Sequence, residues 1–353
     1  MKTRVIILFC IVVIFSTLLI GACKKNDVAA ENFGTYNPTY LSFKIPAGWP
    51  IPPIDIFADN PLTEQGFQLG KKLFYDGRLS KDGNFPCGSC HQQFAAFVTY
   101  DHDFSHGFNN AFTTRNAPAL FNLAWMPKLH WDGGINHLEV QPLAPITAPN
   151  EMAETIDNVL NKLKADTAYP RMFYAAYGNA DITSQRMLKA LAQFMGTIVS
   201  NNSKYDKVKR GEATFTAAEE SGYNIFKAKC ETCHKEPLFT DNSFRNNGLA
   251  VNSFLKDYGR MRITNDKNDS LKFKVPSLRN VMLTFPYMHD GRLYSLGQVI
   301  DHYRFGIITS QPTLDPLLIN RIAITNAEKN DLLYFLNTLT DSDMTNNPRF
   351  SEN

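Results

Sequence analysis

The sequence has almost no net charge. Its 36 lysine and arginine residues are balanced by 34 acidic residues, which gives a formal charge of +2 at pH 7. Residues 1–22 contain Lys2 and Arg4 and no acid, so the chain that follows them is close to neutral. A nucleic-acid-binding function therefore has no electrostatic support.

Long runs of alternating apolar and polar residues are also missing, so we expect few and short strands. The 353 residues suit two domains, and the 44% hydrophobic content is sufficient for real cores. Apolar residues recur instead with helical spacing, which predicts a mainly α fold. The predicted helices are Gln65–Phe74, Glu151–Lys164, Pro170–Tyr177, Ser184–Val199 and Asn326–Leu339, with a further helix starting at Thr216.

Cysteine is scarce, and with Cys10 in the predicted signal and Cys23 as the expected site of acylation, no thiol is left over for a disulfide. Four of the six cysteines form two Cys-x-x-Cys-His pentads, at residues 87–91 and 230–234. Two thiols one helical turn apart capture the vinyl groups of a haem, and the adjacent histidine binds its iron. The pentads predict two covalent c-type haems, held by Cys87, Cys90, His91, Cys230, Cys233 and His234. The alternatives are a zinc site made of both pairs and a redox-active dithiol.

The N-terminus has the pattern of a secretory signal. Lys2 and Arg4 precede an apolar run that is too short for a stable membrane span, and small residues follow it. Cys23 comes directly after Ile20-Gly21-Ala22, as in a bacterial lipobox, so we expect an exported protein, lipid-anchored at Cys23 in the periplasm or cell envelope. The alternative is a cleaved signal in which Cys23 is incidental.

The segments around the pentads form an ordered series of motifs. They include Leu69-Gly70-Lys71, Arg115-Asn116-Ala117-Pro118, Trp131-Asp132-Gly133, Gln141 with Glu151, residues 273–280 (Phe-Lys-Val-Pro-Ser-Leu-Arg-Asn), Pro286–Gly291 and Asp301-His302-Tyr303. This series resembles the bacterial di-haem cytochrome c peroxidases and their MauG relatives over roughly residues 55–342.

The resemblance implies two cytochrome c-like domains, each with one covalently bound haem. We predict a signal peptide at 1–22, a tether and extended lead-in at 23–54, a peroxidatic domain at 55–205 and an electron-transfer domain at 206–345. The polar segment 201–212 is expected to mark the boundary between the two domains.

The resemblance also assigns catalytic roles. Glu151 matches the family's distal glutamate, which moves a proton between the peroxide oxygens, and Gln141 would orient the bound peroxide. Trp131 matches the tryptophan between the two haems, which carries electrons across a gap too wide for direct contact.

Two positions depart from the usual peroxidase pattern. The histidine that blocks the peroxidatic iron in the resting state has displaced candidates, His106, which we favour, and His102. Tyr303 stands where most peroxidases have a methionine ligand to the second haem iron and where MauG has tyrosine. Met282 and Met288 are the alternative ligands.

The family further implies a calcium ion between the domains, at Asn116, Thr284 and Pro286. The predicted function is reduction of hydrogen peroxide to water with electrons from a small cytochrome c or cupredoxin. The alternatives are MauG-like oxidation of a protein or organic substrate and a non-catalytic electron-transfer cytochrome. The sequence leaves the oligomeric state open between a monomer and a homodimer.

Overall fold

The computed structural model describes residues 33–352, and the compact unit considered below begins at Asn37. Cys10, Cys23 and the predicted signal lie outside the described residues. The fold is mainly helical, with long irregular connections. Its α-helices are α1 (Glu64–Phe74), α2 (Cys87–Cys90), α3 (Leu143–Thr147), α4 (Ile156–Lys164), α5 (Ala168–Tyr177), α6 (Ser184–Gly196), α7 (Lys204–Lys209), α8 (Ala217–Lys229), α9 (Met261–Thr264), α10 (Leu296–Asp301), α11 (Asn326–Asn337) and α12 (Ser342–Thr345).

Two short strands, β1 (Phe244–Arg245) and β2 (Phe273–Lys274), pair antiparallel with Phe244 opposite Lys274. The short length of this sheet agrees with the lack of alternating patterns in the sequence. The backbone N–H of Lys274 also donates to the Trp131 carbonyl at 2.8 Å. The strand pair is therefore joined to the segment that carries Trp131.

The first hydrophobic core forms around α1, α5 and α6. Helices α1 and α6 approach closely at Gly70, where an added Cβ would lie 1.9 Å from the Ala190 carbonyl oxygen. Met344 and Phe350, near the C-terminus, also belong to this core, and the Tyr75 hydroxyl donates to the Phe350 carbonyl at 2.7 Å. The end of the chain thus packs on the first core, although the predicted second domain extends to residue 345.

The second core repeats this arrangement with α8 and α11. A Cβ on Gly222 would lie 2.0 Å from the Asp331 carbonyl oxygen, so glycine is again required where the two helices meet. Capping boxes begin α8 at Thr216 and α11 at Thr325, as the sequence predicts. Each half of the molecule therefore rests on a pair of helices in close contact through a glycine.

The segment between the two cores is more ordered than its polar sequence indicates. It contains α7, which a capping box between Ser203 and Asp206 begins. Asp206 also accepts two hydrogen bonds from the fully buried Arg279 guanidinium at 2.8 and 2.9 Å. The predicted boundary is thus a short helix held by a buried ion pair.

Most predicted helices agree with the structure to within a few residues, and one does not. The helix predicted from Glu151 begins at Ile156, because the Thr155 side chain caps it by accepting from the Asn158 N–H. Glu151 itself lies in a turn before that helix. Across residues 33–352, none of the helices is long and apolar enough to cross a membrane.

Candidate active site

We call the pentad at Cys87–His91 the first site. Helix α2 is a single turn that holds Cys87 and Cys90, and neither thiol is in a disulfide. His91 follows immediately, and its Nδ1–H donates to the Phe97 carbonyl at 2.9 Å. Burial lowers the pKa of His91 to about 4. The imidazole is therefore neutral with Nε2 available, which is the form that binds a metal.

The pentad at Cys230–His234, the second site, follows directly after α8. Its histidine is held in the same way, since Nδ1 of His234 lies 3.2 Å from the Phe239 carbonyl oxygen and 3.1 Å from that of Pro276. Burial lowers the pKa of His234 as well. Both sites thus present a neutral histidine, oriented by backbone carbonyls, beside two free thiols.

The thiols do not fit the zinc alternative. Burial raises the pKa of Cys87 and of Cys230 to about 12. Among residues 33–352, the structure contains no group of three or more His, Cys, Asp or Glu side chains that could hold a metal ion. Two thiols outside any disulfide and an adjacent neutral imidazole are instead the groups that covalent haem attachment uses.

A cavity of about 410 Å³ opens beside the second site, within the size range of cofactor pockets. Cys230, Cys233 and His234 line it on one side, and further lining residues include the apolar Leu296, Val299, Ile300, Leu332 and Leu336. His234 and Cys230 keep some accessible surface although desolvation dominates their pKa shifts. The accessible surface of these two side chains and their desolvation are compatible if that surface faces the internal cavity, as a haem pocket requires.

Tyr303 lies in the same cavity. It belongs to a π-helical turn, His302–Gly306, directly after α10, a geometry that is frequent at functional sites. Burial raises the pKa of Tyr303 to about 12, opposed by a hydrogen bond with the Asn247 side chain. The phenol is therefore protonated at neutral pH, and it lines the same cavity as Cys230, Cys233 and His234.

Of the alternative methionines, Met288 lines the cavity, and Asn247 Nδ2 donates to its Sδ at 3.5 Å. Met282 is 37% exposed and is not among the lining residues. The structure therefore brings Tyr303 and Met288 together at the second site and places Met282 elsewhere.

The cavity continues to Trp131 and Gln141. Trp131 sits in a hairpin closed by the Leu129 N–H donating to the Ile135 carbonyl at 2.7 Å, and its Nε1–H donates to the Asn116 carbonyl at 2.8 Å. Residues predicted from two distant motifs thus meet in one internal space.

Glu151 lies near Cys90 of the first site. Burial raises the pKa of Cys90, and the Glu151 carboxylate adds to that shift, which indicates that the two side chains are near each other. Burial also raises the pKa of Glu151 itself. A carboxyl group whose pKa is raised toward neutrality is suited to exchange protons.

His102 and His106 are both exposed, with ring centroids 5.7 Å apart. Gly107, which directly follows His106, is packed against the Glu151 turn, where an added Cβ would lie 2.3 Å from the Asn150 carbonyl oxygen. The Phe108 N–H also donates to the Glu151 carbonyl at 2.7 Å. In this structure the loop fixes the backbone of Glu151, and its two imidazoles face outward.

The predicted calcium residues Asn116, Thr284 and Pro286 all border the main cavity. Asn116 is held by its N–H, which donates to the His289 carbonyl at 2.8 Å, and its own carbonyl accepts from Trp131. One amide side chain and backbone carbonyls are oxygen ligands of the kind that calcium takes.

Sequence reasoning missed two cavity residues, His130 and Lys274. His130 Nε2 lies 3.4 Å from Gln141 Nε2, and Lys274 Nζ donates to the Lys128 carbonyl at 3.0 Å. Burial lowers the pKa of Lys274 to about 8. His130 adjoins Trp131 in the sequence, and Lys274 belongs to the motif at residues 273–280. These positions were the signal by which the sequence could have identified both residues.

The chain is similar to several known proteins. A family model described as "Di-haem cytochrome c peroxidase" matches residues 64–214. The methylamine utilization protein MauG of Methylorubrum extorquens is 36% identical over 289 residues, which is 79% of each chain. This chain belongs to the di-haem cytochrome c peroxidase family. The cytochrome c551 peroxidase of Nitrosomonas europaea is 33% identical and covers 83% of this chain and 85% of its own.

The crystal structure of a MauG-like protein associated with microbial copper homeostasis aligns with a TM-score of 0.80 at 36% identity. It covers 88% of this chain and 99% of its own. Membership of the family implies two c-type haems, a peroxidase-type oxidoreductase, hydrogen peroxide as substrate and a redox partner. The free thiol pairs, the oriented histidines and the cavity are consistent with those cofactors.

Proposed function

We propose that this protein reduces hydrogen peroxide at the first site and receives electrons at the second. Each turnover takes two electrons and two protons and yields two water molecules. The observation that carries the proposal is the continuous cavity, which joins His234 and Tyr303 of the second site to Trp131 and Gln141. In this proposal the cavity would connect the second site, where electrons enter, with Gln141, which would contact the peroxide.

Glu151 is the proposed proton shuttle. Haem iron, when bound at His91, would supply the peroxide-binding and electron-accepting centre. Glu151 would take the proton from one peroxide oxygen and return it to the other as the bond between them breaks, while the Gln141 amide hydrogen-bonds the peroxide. The raised pKa of Glu151 supports this role, because a carboxyl group whose pKa is closer to the working pH can both accept and release a proton.

Trp131 is the proposed electron route. It lies in the cavity that borders the second site, and it is fixed by a hydrogen bond on each side, from its ring N–H and to its carbonyl. Electrons from a small cytochrome c or cupredoxin would enter at the second site and reach the first through this ring.

The test is steady-state peroxide reduction with a reduced cytochrome as donor, in wild type, Glu151→Gln and Glu151→Ala. We expect turnover to fall about 10²–10⁴-fold, the usual loss for a positioned acid–base group, with both haem spectra retained. Glu220→Ala, an exposed position in α8, is the matched control. Near wild-type turnover in Glu151→Ala would exclude the shuttle, and electron exchange without any peroxide turnover in wild type would favour a simple electron carrier.

Tyr303 favours MauG-like oxidation of a protein or organic substrate as the second candidate function. A phenol oxygen at the second iron stabilises higher oxidation states, whereas a thioether raises the haem potential. A product analysis with peroxide but no reduced donor distinguishes the candidates, because only the second one oxidises an added protein or organic substrate.

We also propose a calcium ion held by Asn116, Thr284 and Pro286. Chelation followed by readdition of calcium should remove and restore peroxide turnover while the covalent haem content stays constant. Turnover that is insensitive to chelation would count against a functional calcium ion.

Export and lipid anchoring at Cys23 are proposed from the N-terminal sequence. Cys23→Ser should leave an unacylated precursor, detectable by mass spectrometry and by loss of the protein from the membrane fraction. An unacylated mature terminus in the wild type would contradict the anchor.

A further inference from the structure

His130 occupies a backbone conformation that its side chain does not favour. Its φ is +64°, in the left-handed region that non-glycine residues seldom adopt, and such conformations often occur at functional sites. The hairpin from Leu129 to Ile135 holds it there. His130 directly precedes Trp131 in the sequence, and both residues line the main cavity.

The ring of His130 faces the side chain of Gln141. The nitrogens Nε2 of His130 and Nε2 of Gln141 are 3.4 Å apart, long for a hydrogen bond, as is common before a catalytic ligand binds. With its proton on Nδ1, the imidazole accepts at Nε2 from the Gln141 amide. The second amide hydrogen and Oε1 of Gln141 then stay available to a ligand.

The surroundings of His130 keep the ring neutral. Burial lowers its pKa, Asp132 opposes that shift, and Lys274 and Arg115 add to it. A neutral ring retains the Nε2 lone pair that the amide requires. His130 also adds to the pKa depression of His91, which burial dominates, and this indicates that the two imidazoles are near each other.

We propose that His130 is a positioning residue for Gln141: it accepts a hydrogen bond from the Gln141 amide and fixes which end of that amide meets the bound peroxide. The inference rests on the proposed function, because it gives Gln141 its orientation in that reaction. Without His130 the amide can turn about its last torsion angle and present either end to the ligand.

The experiment is a double-mutant cycle with His130→Phe, Gln141→Leu and the double variant, and with His130→Gln as the conservative replacement. Cyanide affinity of the oxidised protein is measured first, in the binding phase that Gln141→Leu alters, because it needs no turnover. The ratio kcat/KM for peroxide is measured second. Haem content and circular dichroism confirm folding, and His130→Leu replaces His130→Phe if the latter lowers haem content.

We expect His130→Phe to weaken cyanide binding and to lower kcat/KM by about two- to ten-fold, the size of one hydrogen bond. The same substitution should have no further effect when Gln141 is already leucine. His130→Gln should keep most of the wild-type cyanide affinity and kcat/KM, because its side chain can still accept a hydrogen bond. Additive effects, an unchanged His130→Phe or a cyanide phase insensitive to Gln141→Leu would overturn the inference. A coupled cyanide cycle without any peroxide turnover in wild type would instead defeat the proposed function alone.

Discussion

The two Cys-x-x-Cys-His sites share their local geometry and differ in what surrounds them. In both, a histidine donates Nδ1–H to backbone carbonyls, at Phe97 in the first site and at Phe239 and Pro276 in the second. The first site has a partly buried carboxyl group, Glu151, near Cys90, whereas the second shares its cavity with the phenol of Tyr303. On the proposed function, each pentad attaches a haem, and the neighbouring side chains make the chemistry of the two sites different.

The largest effect expected is loss of one haem from a chosen site. Replacing Cys87 and Cys90 with serine should leave about one c-type haem per chain by pyridine haemochrome analysis, and so should replacing Cys230 and Cys233. Only the first double variant should lose the peroxide-binding spectrum. Two haems retained in either variant would show that the thioether assignment is wrong.

The next effect is the pH dependence of turnover. It distinguishes the two sites, because Glu151 lies near the first site only. Burial raises its pKa, and the shuttle must begin deprotonated to take the peroxide proton. Turnover should therefore fall as pH is lowered through a midpoint above 4.5, the value of an ordinary glutamate. A pH–rate profile of kcat/KM should show this acid limb in wild type. The same limb in Glu151→Gln would assign it to another group.

A smaller effect tests whether the two cores are built alike. Gly70→Ala and Gly222→Ala each place a Cβ about 2 Å from a backbone carbonyl oxygen, so each should destabilise the fold by about 1–3 kcal/mol. Chemical denaturation measures this change. Gly297→Ala is the control, since its nearest neighbour is the Lys329 side chain at 3.4 Å. Equal stability of all three variants would refute the close helix contacts.

The smallest effect is spectroscopic and concerns the second site alone. If Tyr303 ligates the second iron, the oxidised wild type should lack the thioether-to-iron band in the near infrared, and Tyr303→Met should create it. Met282→Leu should change nothing, because Met282 does not line the cavity. A band present in wild type and unaffected by Tyr303→Met would assign the ligand to Met288.

Much of this arrangement follows from local sequence signals. Helical spacing and capping boxes predict α1, α8 and α11, because helix starts depend on residues three positions apart. The helix predicted from Glu151 starts only at Ile156, because Thr155 caps it and because the Phe108 N–H, from a distant loop, binds the Glu151 carbonyl in the preceding turn. The meeting of His130 with Gln141 depends on the path of the chain between them. Such tertiary contacts leave no periodic trace in one sequence.

The central claim is that peroxide reacts at the first site and that the second supplies electrons through Trp131. The most direct test adds peroxide to the fully reduced protein and follows both haem spectra in time, in wild type and in Trp131→Phe. The account predicts that the first haem changes at the same rate in both proteins, while oxidation of the second haem is slowed in Trp131→Phe. Equal oxidation rates of the second haem in the two proteins would contradict it.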